Sequence, residues 1–419
     1  MTYALVDANS FYASCESVFR PDWRGKPIIV LSNNDGCIVA ANRQAIELGI
    51  KKFEPYFKVK DMCELKGIIA LSSNYELYSD LSMKMMGVIG RFAPEQYIYS
   101  IDESFLSFKR TYPAIPCLLT HCMNLRRTVW KECRLPVAVG VSKTLTLAKI
   151  ANHAAKKLGY RGVCVLEENK EIEAVLKQLP VSSVWGIGSQ LSFRMKLMGI
   201  NTAWDLASAP IDKIKRNFSV DVERTVRELN GQECLYWDSV RPAKRQIFST
   251  RSMGERITDQ ISLEQALTKH ACIAAKKARE QGSLCKTIMF FAGNSPHDES
   301  HRSFRFLHEF TFPTSDSLHL SQVATRAAEA LFQEGIRYYK IGAGLISLID
   351  GKHYQNDLFN ETPVNDELMH VLDSINHKYG SDTLFVGSQG INPKWGMRRD
   401  MLTPRYTTQW SDIPRIKCS

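Results

Sequence analysis

Two short apolar runs near the N-terminus carry carboxylates where a buried strand ordinarily has none. Thr2-Tyr-Ala-Leu-Val runs straight into Asp7, and Tyr97-Ile-Tyr-Ser-Ile runs into Asp102-Glu103 before Ser-Phe-Leu106 resumes the apolar pattern. Runs of this length rich in aromatic and β-branched residues predict strands. Ile28 to Leu31, Ile38 to Ala41 and Val137 to Val141 read the same way. Between them the apolar spacing changes to that of helices. Leu77, Leu81, Met85 and Val88 predict a helix over about 72–92, and further helices are expected over 42–48, stopped by Gly49, and over 117–133. Ser142 is expected to cap a long helix from Lys143 to Lys157, with Leu147, Ile150 and Ala154 as its buried stripe. This order of elements predicts a mixed sheet with helices on one face, a ferredoxin-like arrangement.

Farther along, Val184-Trp-Gly186-Ile-Gly188 is followed by a helical segment to about Met198, then Gly199-Ile200 and another helix over 202–209. Helix, Gly-x-Gly hairpin, helix is the outline of a helix-hairpin-helix element. Gly186 and Gly188 would expose backbone N–H groups near a helix start, a site for one DNA phosphate. Arg241 to Arg245 reads as a linker. An α+β unit is expected beyond it, with strands at 247–252, 286–293, 302–312 and 340–349 and helices at 262–281 and 316–334. In its first strand Arg251 stands among hydroxyls, which suits a surface that tracks a nucleic-acid backbone; an ordinary two-layer surface is the alternative. Gln355-Asn-Asp-Leu358-Phe359 has the form of a peptide-docking motif, though five residues can match by chance. The tail holds a helix near 364–378 and an aromatic, basic end (Trp395, Arg398, Arg399, Arg405, Tyr406, Trp410) too rich in Gly and Pro for a large core.

With 419 residues the chain has room for two to four domains. Lys and Arg number 54 against 44 Asp and Glu, a net charge of +10 that suggests a polyanionic partner. The 11 cysteines are scattered and form no Cys-x-x-Cys pair, so we expect reduced thiols and a cytoplasmic protein. The N-terminus reads as a strand without a leader, and no stretch approaches 18 apolar residues, so no membrane partner is expected.

The buried acids then decide the chemistry. Two carboxylates about 4 Å apart at an effective dielectric near 20 repel by roughly 4 kcal/mol, so Asp102 and Glu103 call for a cation unless they form an acidic turn in water. Asp7, arriving on a second strand, favours the cation: three carboxylates at neighbouring strand ends suit Mg²⁺, and two such ions can clamp an in-line phosphoryl transfer. Adjacent strand residues point to opposite faces, so a hairpin bend or bulge is expected at Asp102-Glu103. Lys149 and Lys156 lie two helical turns apart on one face, where they can meet a triphosphate or simply face solvent. Phe11 and Tyr12 can pack against a nucleotide sugar or into the core.

These residues, in this order, are similar to the Y-family translesion DNA polymerases. Within that family Leu31-Ser-Asn-Asn-Asp-Gly-Cys37, Ser72-Ser-Asn-Tyr-Glu-Leu-Tyr78, Asn152-His-Ala-Ala-Lys-Lys157, Glu223-Arg-Thr-Val-Arg-Glu-Leu229 and Pro404-Arg-Tyr-Thr-Thr408 resemble the UmuC-type catalytic subunits of bacterial DNA polymerase V. The resemblance spans nearly the whole chain. It implies an α+β right-hand polymerase: a ferredoxin-like palm (1–166) with small fingers inserted at about 19–73, a helical helix-hairpin-helix thumb (167–240), a DNA-binding α/β little finger (241–350), and a clamp-binding linker and partner-binding tail (351–419). It further implies error-prone synthesis in the SOS response, in a bacterial cytoplasm near the nucleoid. Asp7, Asp102, Glu103 and the Ala8 carbonyl would hold two Mg²⁺ ions. Tyr12 would exclude a ribose 2′-hydroxyl, Phe11 would help hold the sugar, and Lys156 would meet the triphosphate of the incoming dNTP. Gly186, Gly188 and Arg251 would contact primer-template DNA. Gln355, Leu358 and Phe359 would dock on the sliding clamp, and the tail would meet a UmuD-type subunit and a RecA-type filament. Two departures stand out. Where many relatives place a Tyr and an Arg on the triphosphate, this chain has Arg43 and Ile46, so Arg43 alone would supply that charge; and Leu145 replaces a Lys of close relatives. The rival readings are a non-catalytic DNA- and clamp-binding checkpoint subunit, for which the carboxylates would be dispensable, and a nucleotidyl cyclase with a similar sheet and metal pair.

Overall fold

The computed structural model describes residues 2–111, 113–237, 243–352, 365–391 and 395–414. Two compact units emerge, Met1–Ser239 with Asp400–Ser419, and Val240–Arg399.

The first unit opens with strand β1 (Tyr3–Ala8) and helix α1 (Phe11–Val18). A small sheet follows, made of β2 (Ile28–Leu31), β3 (Ile38–Ala41) and, after the short helices α2 (Arg43–Glu47) and α3 (Lys60–Leu65), β4 (Ile69–Ser72). Strand β2 lies in the middle, antiparallel to β3 and parallel to β4, and Ile29, Leu31, Ile38 and Val59 give this sheet its own core. The chain continues through α4 (Tyr75–Gly90), a hairpin of β5 (Glu95–Ile98) and β6 (Glu103–Ser107), α5 (Leu118–Cys133), β7 (Val137–Ser142), α6 (Leu145–Lys157) and β8 (Val163–Val165). These strands join β1 in a five-stranded sheet ordered β5-β6-β1-β7-β8. All neighbours are antiparallel except β7 and β8, which the α6 crossover connects in parallel.

Side-chain alternation in β1 fixes what each face of this sheet does. Ala4, Val6 and Ala8 pack with Leu81 and Met85 of α4 and Leu125 and Val129 of α5. Tyr3 and Leu5 turn the other way, toward Phe105 and the α6 residues Leu145 and Ala148. Helices thus cover both faces, not one as the element order suggested. Gly140 in β7 permits the close seat of α6: a Cβ there would stand 1.9 Å from the backbone N of Asn152 and 2.5 Å from the carbonyl of Ala148. Only a bare backbone lets α6 seat this closely. The buried Asn152 side chain completes the seat, donating to the carbonyls of Leu5 (3.1 Å) and Ala138 (2.9 Å). The cap of α6 is Thr144, whose hydroxyl accepts from Leu147 N at 3.2 Å. Ser142 instead ends β7 and donates to the carbonyl of Leu166.

A helical subunit of this first unit follows: α7 (Asn169–Gln178), α8 (Ser189–Leu197), α9 (Ala203–Ala207), α10 (Ile211–Asn217) and α11 (Val220–Leu229). Its core takes in the outer side of α6, where Leu147, Ile150 and Ala154 meet Leu176 and Val226. Of these helices, only α8 and α9 were expected from sequence. The buried Glu228 ties α11 to the start of α6. Its Oε2 accepts from Thr146 N (3.0 Å), and its Oε1 from Cys234 N (2.8 Å) and Leu235 N (3.0 Å).

The second unit contains β9 (Ile247–Ile257), α12 (Gln260–Gln281), β10 (Ser283–Gly293), β11 (Ser303–Thr314), α13 (Ser317–Leu331), β12 (Tyr338–Leu345), β13 (Leu348–Asp350) and α14 (Asp366–Tyr379). Its antiparallel sheet runs β11-β10-β12-β9, with β13 also on β10. Helices α12 and α13 cover one face, where Leu263, Ala274, Ile288, Phe290, Val323 and Ile341 form the core. The strand expected over 340–349 is interrupted at Ile346-Ser347 and becomes two. The tail divides between the units. Helix α14 is fastened to α12 by a two-point pair of Arg279 with Asp373 (2.7 and 2.9 Å), while residues from Asp400 onward belong to the first unit. No helix among the described residues is long and apolar enough to cross a membrane.

Candidate active site

Asp7 and Glu103 face each other directly in the β1–β6 register, next to the pair Leu5 and Phe105. Glu103 therefore shares the α6-covered face with Asp7. Asp102 lies one residue earlier, in the bend between β5 and β6, and its carbonyl accepts from Ala8 N at 3.0 Å. The expected bend is present, and Ser100 builds it. Its hydroxyl accepts from the backbone N of Asp102 (3.3 Å) and Glu103 (3.1 Å) and donates to Asp102 Oδ1 (2.6 Å).

Helix α6 brings two cations to these acids. Lys156 Nζ lies 2.6 Å from Asp7 Oδ1. Lys149 Nζ lies 3.0 Å from both carboxylate oxygens of Glu103. The Lys149 ammonium also faces the rings of Tyr99 (4.6 Å), Trp185 (5.1 Å) and Phe105 (5.8 Å), a setting that favours a cation. Sequence spacing put both lysines on one face, but nothing in the sequence marked Trp185 or Tyr99 as partners. Burial raises the Asp7 carboxyl to about 6, against the pull of Lys156, with Glu103 and Asp102 adding to the rise. Asp7 and Glu103 are thus each paired with an ammonium group, while the Asp102 carboxylate accepts from Ser100.

Whether the residues suit a divalent metal can be asked of the donors themselves. All are hard oxygen donors, the type Mg²⁺ requires, and two of the three already hold a positive group. Among the described residues, however, no three Asp, Glu, His or Cys side chains converge tightly enough to hold a metal ion. The donor chemistry fits; Asp7 and Glu103 are engaged by lysines.

Tyr12 stands beside this cluster. Its ring stacks on Tyr78 (4.7 Å, 19°) and meets the edge of Tyr75 (5.8 Å, 86°). Burial, Tyr75 and Asp102 all raise its hydroxyl. Phe11 is buried in the core under the sheet. Behind the stack, the Tyr78 hydroxyl donates to Glu16, a fully buried carboxyl that burial raises to about 7. A carboxyl with a raised folded pKa binds its proton more tightly folded than unfolded. Its contribution to stability is therefore present at low pH and is lost as pH rises from about 4.5 to 7. Glu16→Gln should flatten the fall in unfolding free energy over that window, measured by urea titration at several pH values; an unchanged slope would refute the assignment.

The remaining candidates are more dispersed. Arg43 on α2 pairs with Glu47 (2.7 Å) and is largely exposed; Ile46 is exposed too. Gly186 has φ +84 with open space around it, a conformation that suits glycine, and Gly188 is the N-cap of α8. Arg251 pairs with Ile341 in register, on the helix-covered side of β9, where burial and Arg399 hold its pKa down. The exposed neighbours Phe248 and Thr250 point to the open face. Gln355, Leu358 and Phe359 lie outside the described residues.

Residues 6–153 match the impB/mucB/samB family and residues 244–358 the impB/mucB/samB family C-terminal domain, while residues 366–416 match a domain of unknown function (DUF4113). The chain is 40% identical to the protein UmuC of Salmonella typhimurium over 432 residues, covering 99% of this chain and 100% of that protein. It is 40% identical to the protein MucB of Escherichia coli, covering 98% and 99%. DNA polymerase IV 1 of Bacillus subtilis (strain 168) is 28% identical over 60% of this chain and 59% of its own length. Among solved structures, a Y-family DNA polymerase chimera (Dbh-Dpo4(243-245)-Dbh) superposes with a TM-score of 0.64 at 20% identity, over 83% of this chain and 99% of that one.

Proposed function

We propose a catalytic function for this chain, which belongs to the impB/mucB/samB family. It is a UmuC-like Y-family polymerase, a DNA-directed DNA polymerase of translesion synthesis in the SOS response. We assign Asp7, Asp102 and Glu103 as its catalytic carboxylates, with the Ala8 carbonyl completing the ligand set. The observation that carries this assignment is that both acid-bearing strands end side by side, Asp7 opposite Glu103 and Asp102 in the adjoining bend. Two Mg²⁺ ions bound there would polarise the phosphoryl oxygens and lower the pKa of the attacking primer 3′-hydroxyl.

The chain's own groups do the rest. Lys149 and Lys156 hold Glu103 and Asp7 in place before substrate arrives. Lys156 then exchanges its carboxylate partner for the triphosphate of the dNTP, a trade between two charge-assisted bonds. The ring of Tyr12, backed by Tyr78, stands where a 2′-hydroxyl would have to fit. Arg43 adds charge from the fingers once it leaves Glu47. We read the five-stranded sheet with its helices as the palm, the three-stranded sheet at 19–73 as the fingers, and 167–240 as the thumb, whose Gly186 and Gly188 amides take a DNA phosphate. Residues 241–350 are the little finger, its open sheet face turned to the duplex. We assign Gln355, Leu358 and Phe359 to the sliding clamp, and the tail to a UmuD-type subunit and a RecA-type filament, in a bacterial cytoplasm at the nucleoid.

Primer extension on undamaged and abasic templates tests this reading. The purified chain is assayed alone and then with UmuD-type, RecA-type and clamp proteins, with Mg²⁺ and dNTPs throughout. Extension past the abasic site is expected, increased by the partners. DNA binding without extension under every condition would instead favour a non-catalytic clamp-binding subunit.

A further inference from the structure

The C-terminal segment 400–414 docks onto the first unit at the start of α4. Ser72 N donates to the Met401 carbonyl at 3.0 Å, and Met401 N donates back to Ser72 Oγ at 3.0 Å. Two residues on, the fully buried Asn74 is used on both sides. Its Oδ1 caps α4 by accepting from Leu77 N (3.4 Å). Its Nδ2 donates to the tail, toward Thr403 O and Thr403 Oγ1 (both 3.1 Å) and Pro404 O (3.3 Å). Tyr406 stacks on Phe19 (4.8 Å, 25°), and Arg405 lies 3.8 Å from Glu76 in the same first turn of α4.

That turn carries Tyr75 and Tyr78, the two rings on which Tyr12 rests. Tyr78 is fully buried, and its hydroxyl is held by Glu16. The Thr403 hydroxyl, with Tyr78, lowers the carboxyl pKa against the effect of burial. That hydroxyl itself accepts from Asn74 Nδ2, so it joins the helix cap to the neighbourhood of Glu16. Tail, helix cap, ring platform and Tyr12 are thus four layers in continuous contact.

We propose that the C-terminal segment is a positioning element for sugar selection: it fixes the first turn of α4 and so the Tyr75–Tyr78 platform that keeps Tyr12 from yielding. This rests on reading Tyr12 as the residue that excludes the ribose 2′-hydroxyl. The physical argument is stiffness. A ring rejects one extra oxygen only if it cannot retreat, and a functional group must be held within about 0.5 Å by its supporting shell. Tyr12 is half-buried on a short helix; of the two rings it meets, Tyr75 is exposed and Tyr78 is buried, so Tyr78 supplies the resistance, and the tail backs the turn that carries it through Asn74. Thr403 and Tyr78 are positioning residues in this account, because they act through Tyr12.

The test is single-nucleotide insertion by the full chain, with the partner proteins its extension requires, comparing dCTP with CTP opposite the same template dG. The readout is the ratio of kcat/KM for the two nucleotides. Tyr78→Phe keeps the ring and loses the bond to Glu16; Thr403→Val keeps the shape and loses the hydroxyl; Thr403→Ser keeps the hydroxyl. Tyr78→Phe and Thr403→Val are expected to lower the deoxy-to-ribo ratio by about tenfold, the scale of one lost buried hydrogen bond, chiefly by improving CTP use. Thr403→Ser should keep the ratio near that of the unmutated protein. Tyr12→Ala, run in parallel, checks the premise: a ratio unchanged in that variant means the sugar-exclusion reading itself has failed. A ratio that collapses in Tyr12→Ala but stays intact in Tyr78→Phe and Thr403→Val overturns the positioning role. So does an equal loss with both nucleotides, which is what a merely structural role produces.

Discussion

Asp102→Ala is expected to cut nucleotide incorporation by about a thousandfold or more, since a lost metal ligand removes several kcal/mol of transition-state stabilisation. Binding of primer-template DNA should change little. The two effects separate because of where Asp102 sits. Glu103 and Asp7 are paired with Lys149 and Lys156 and help hold α6 against the sheet. Asp102 sits in the bend, and its carboxylate bond in that bend is the one from Ser100. The bend itself is made by backbone N–H groups donating to the Ser100 hydroxyl, and these survive the substitution. Asp102→Asn sharpens the test, because the amide oxygen can still accept from Ser100 while the charge is gone. Rapid-quench single-turnover incorporation, with fluorescence anisotropy for DNA affinity and a melting curve for stability, gives the three readouts. Incorporation at the unmutated rate in either variant would remove Asp102 from the catalytic set and revive the checkpoint reading, for which the acids are dispensable.

The acids were legible because they violate a pattern. An apolar run that ends on a carboxylate stands out against the alternation of an ordinary strand, and the period of two forced the inference of a bend at Asp102-Glu103. The spacing of seven between Lys149 and Lys156 likewise places both on one face. What stayed hidden depends on contacts between distant parts of the chain. Nothing local says that α6 covers the acid-bearing face, since that depends on the crossover between β7 and β8 and on the close approach that Gly140 permits. Arg251 could not be oriented, because the hydroxyl-rich stretch 249–252 offers no clear apolar alternation and the β9 register slips farther along. Helix α10 is short and buries one apolar residue, but α7 and α11 carry helical spacing in the sequence itself, with Ile172, Val175 and Leu176 in one and Val222, Val226 and Leu229 in the other, a signal our sequence expectation missed. The tail, too rich in Gly and Pro to predict a core, finds its partners 329 positions earlier in the chain, at Asn74.

Gly140→Ala is expected to damage both stability and catalysis, although Gly140 lies in the interior of the sheet with the backbone of α6 packed over it. The atoms a new Cβ would meet are the backbone N of Asn152 at 1.9 Å and the backbone O and C of Ala148 and Ala151 at 2.5 Å. No rotamer change relieves a clash with backbone, so α6 must lift from β7 or the sheet must deform. Overpacking of this kind typically costs about 1–3 kcal/mol, occasionally more. The Asn152 bonds to Leu5 and Ala138 weaken as the helix lifts. The same helix carries Lys149 and Lys156, so the displacement also withdraws both ammonium groups from Glu103 and Asp7. Misplacing a catalytic constellation by about 1 Å can cost on the order of a hundredfold in rate. The expected result is a lowered Tm together with a fall of at least about tenfold in kcat/KM, assayed well below the variant's own melting temperature so that unfolded protein does not contribute. A variant that melts and polymerises like the unmutated chain would mean that α6 is not seated on this face of the sheet. The lysine–carboxylate pairs would then lose their structural basis. Loss of stability with full activity would leave the seat intact and show that the two lysines tolerate displacement, which would confine their role to neutralising Asp7 and Glu103 before substrate binds.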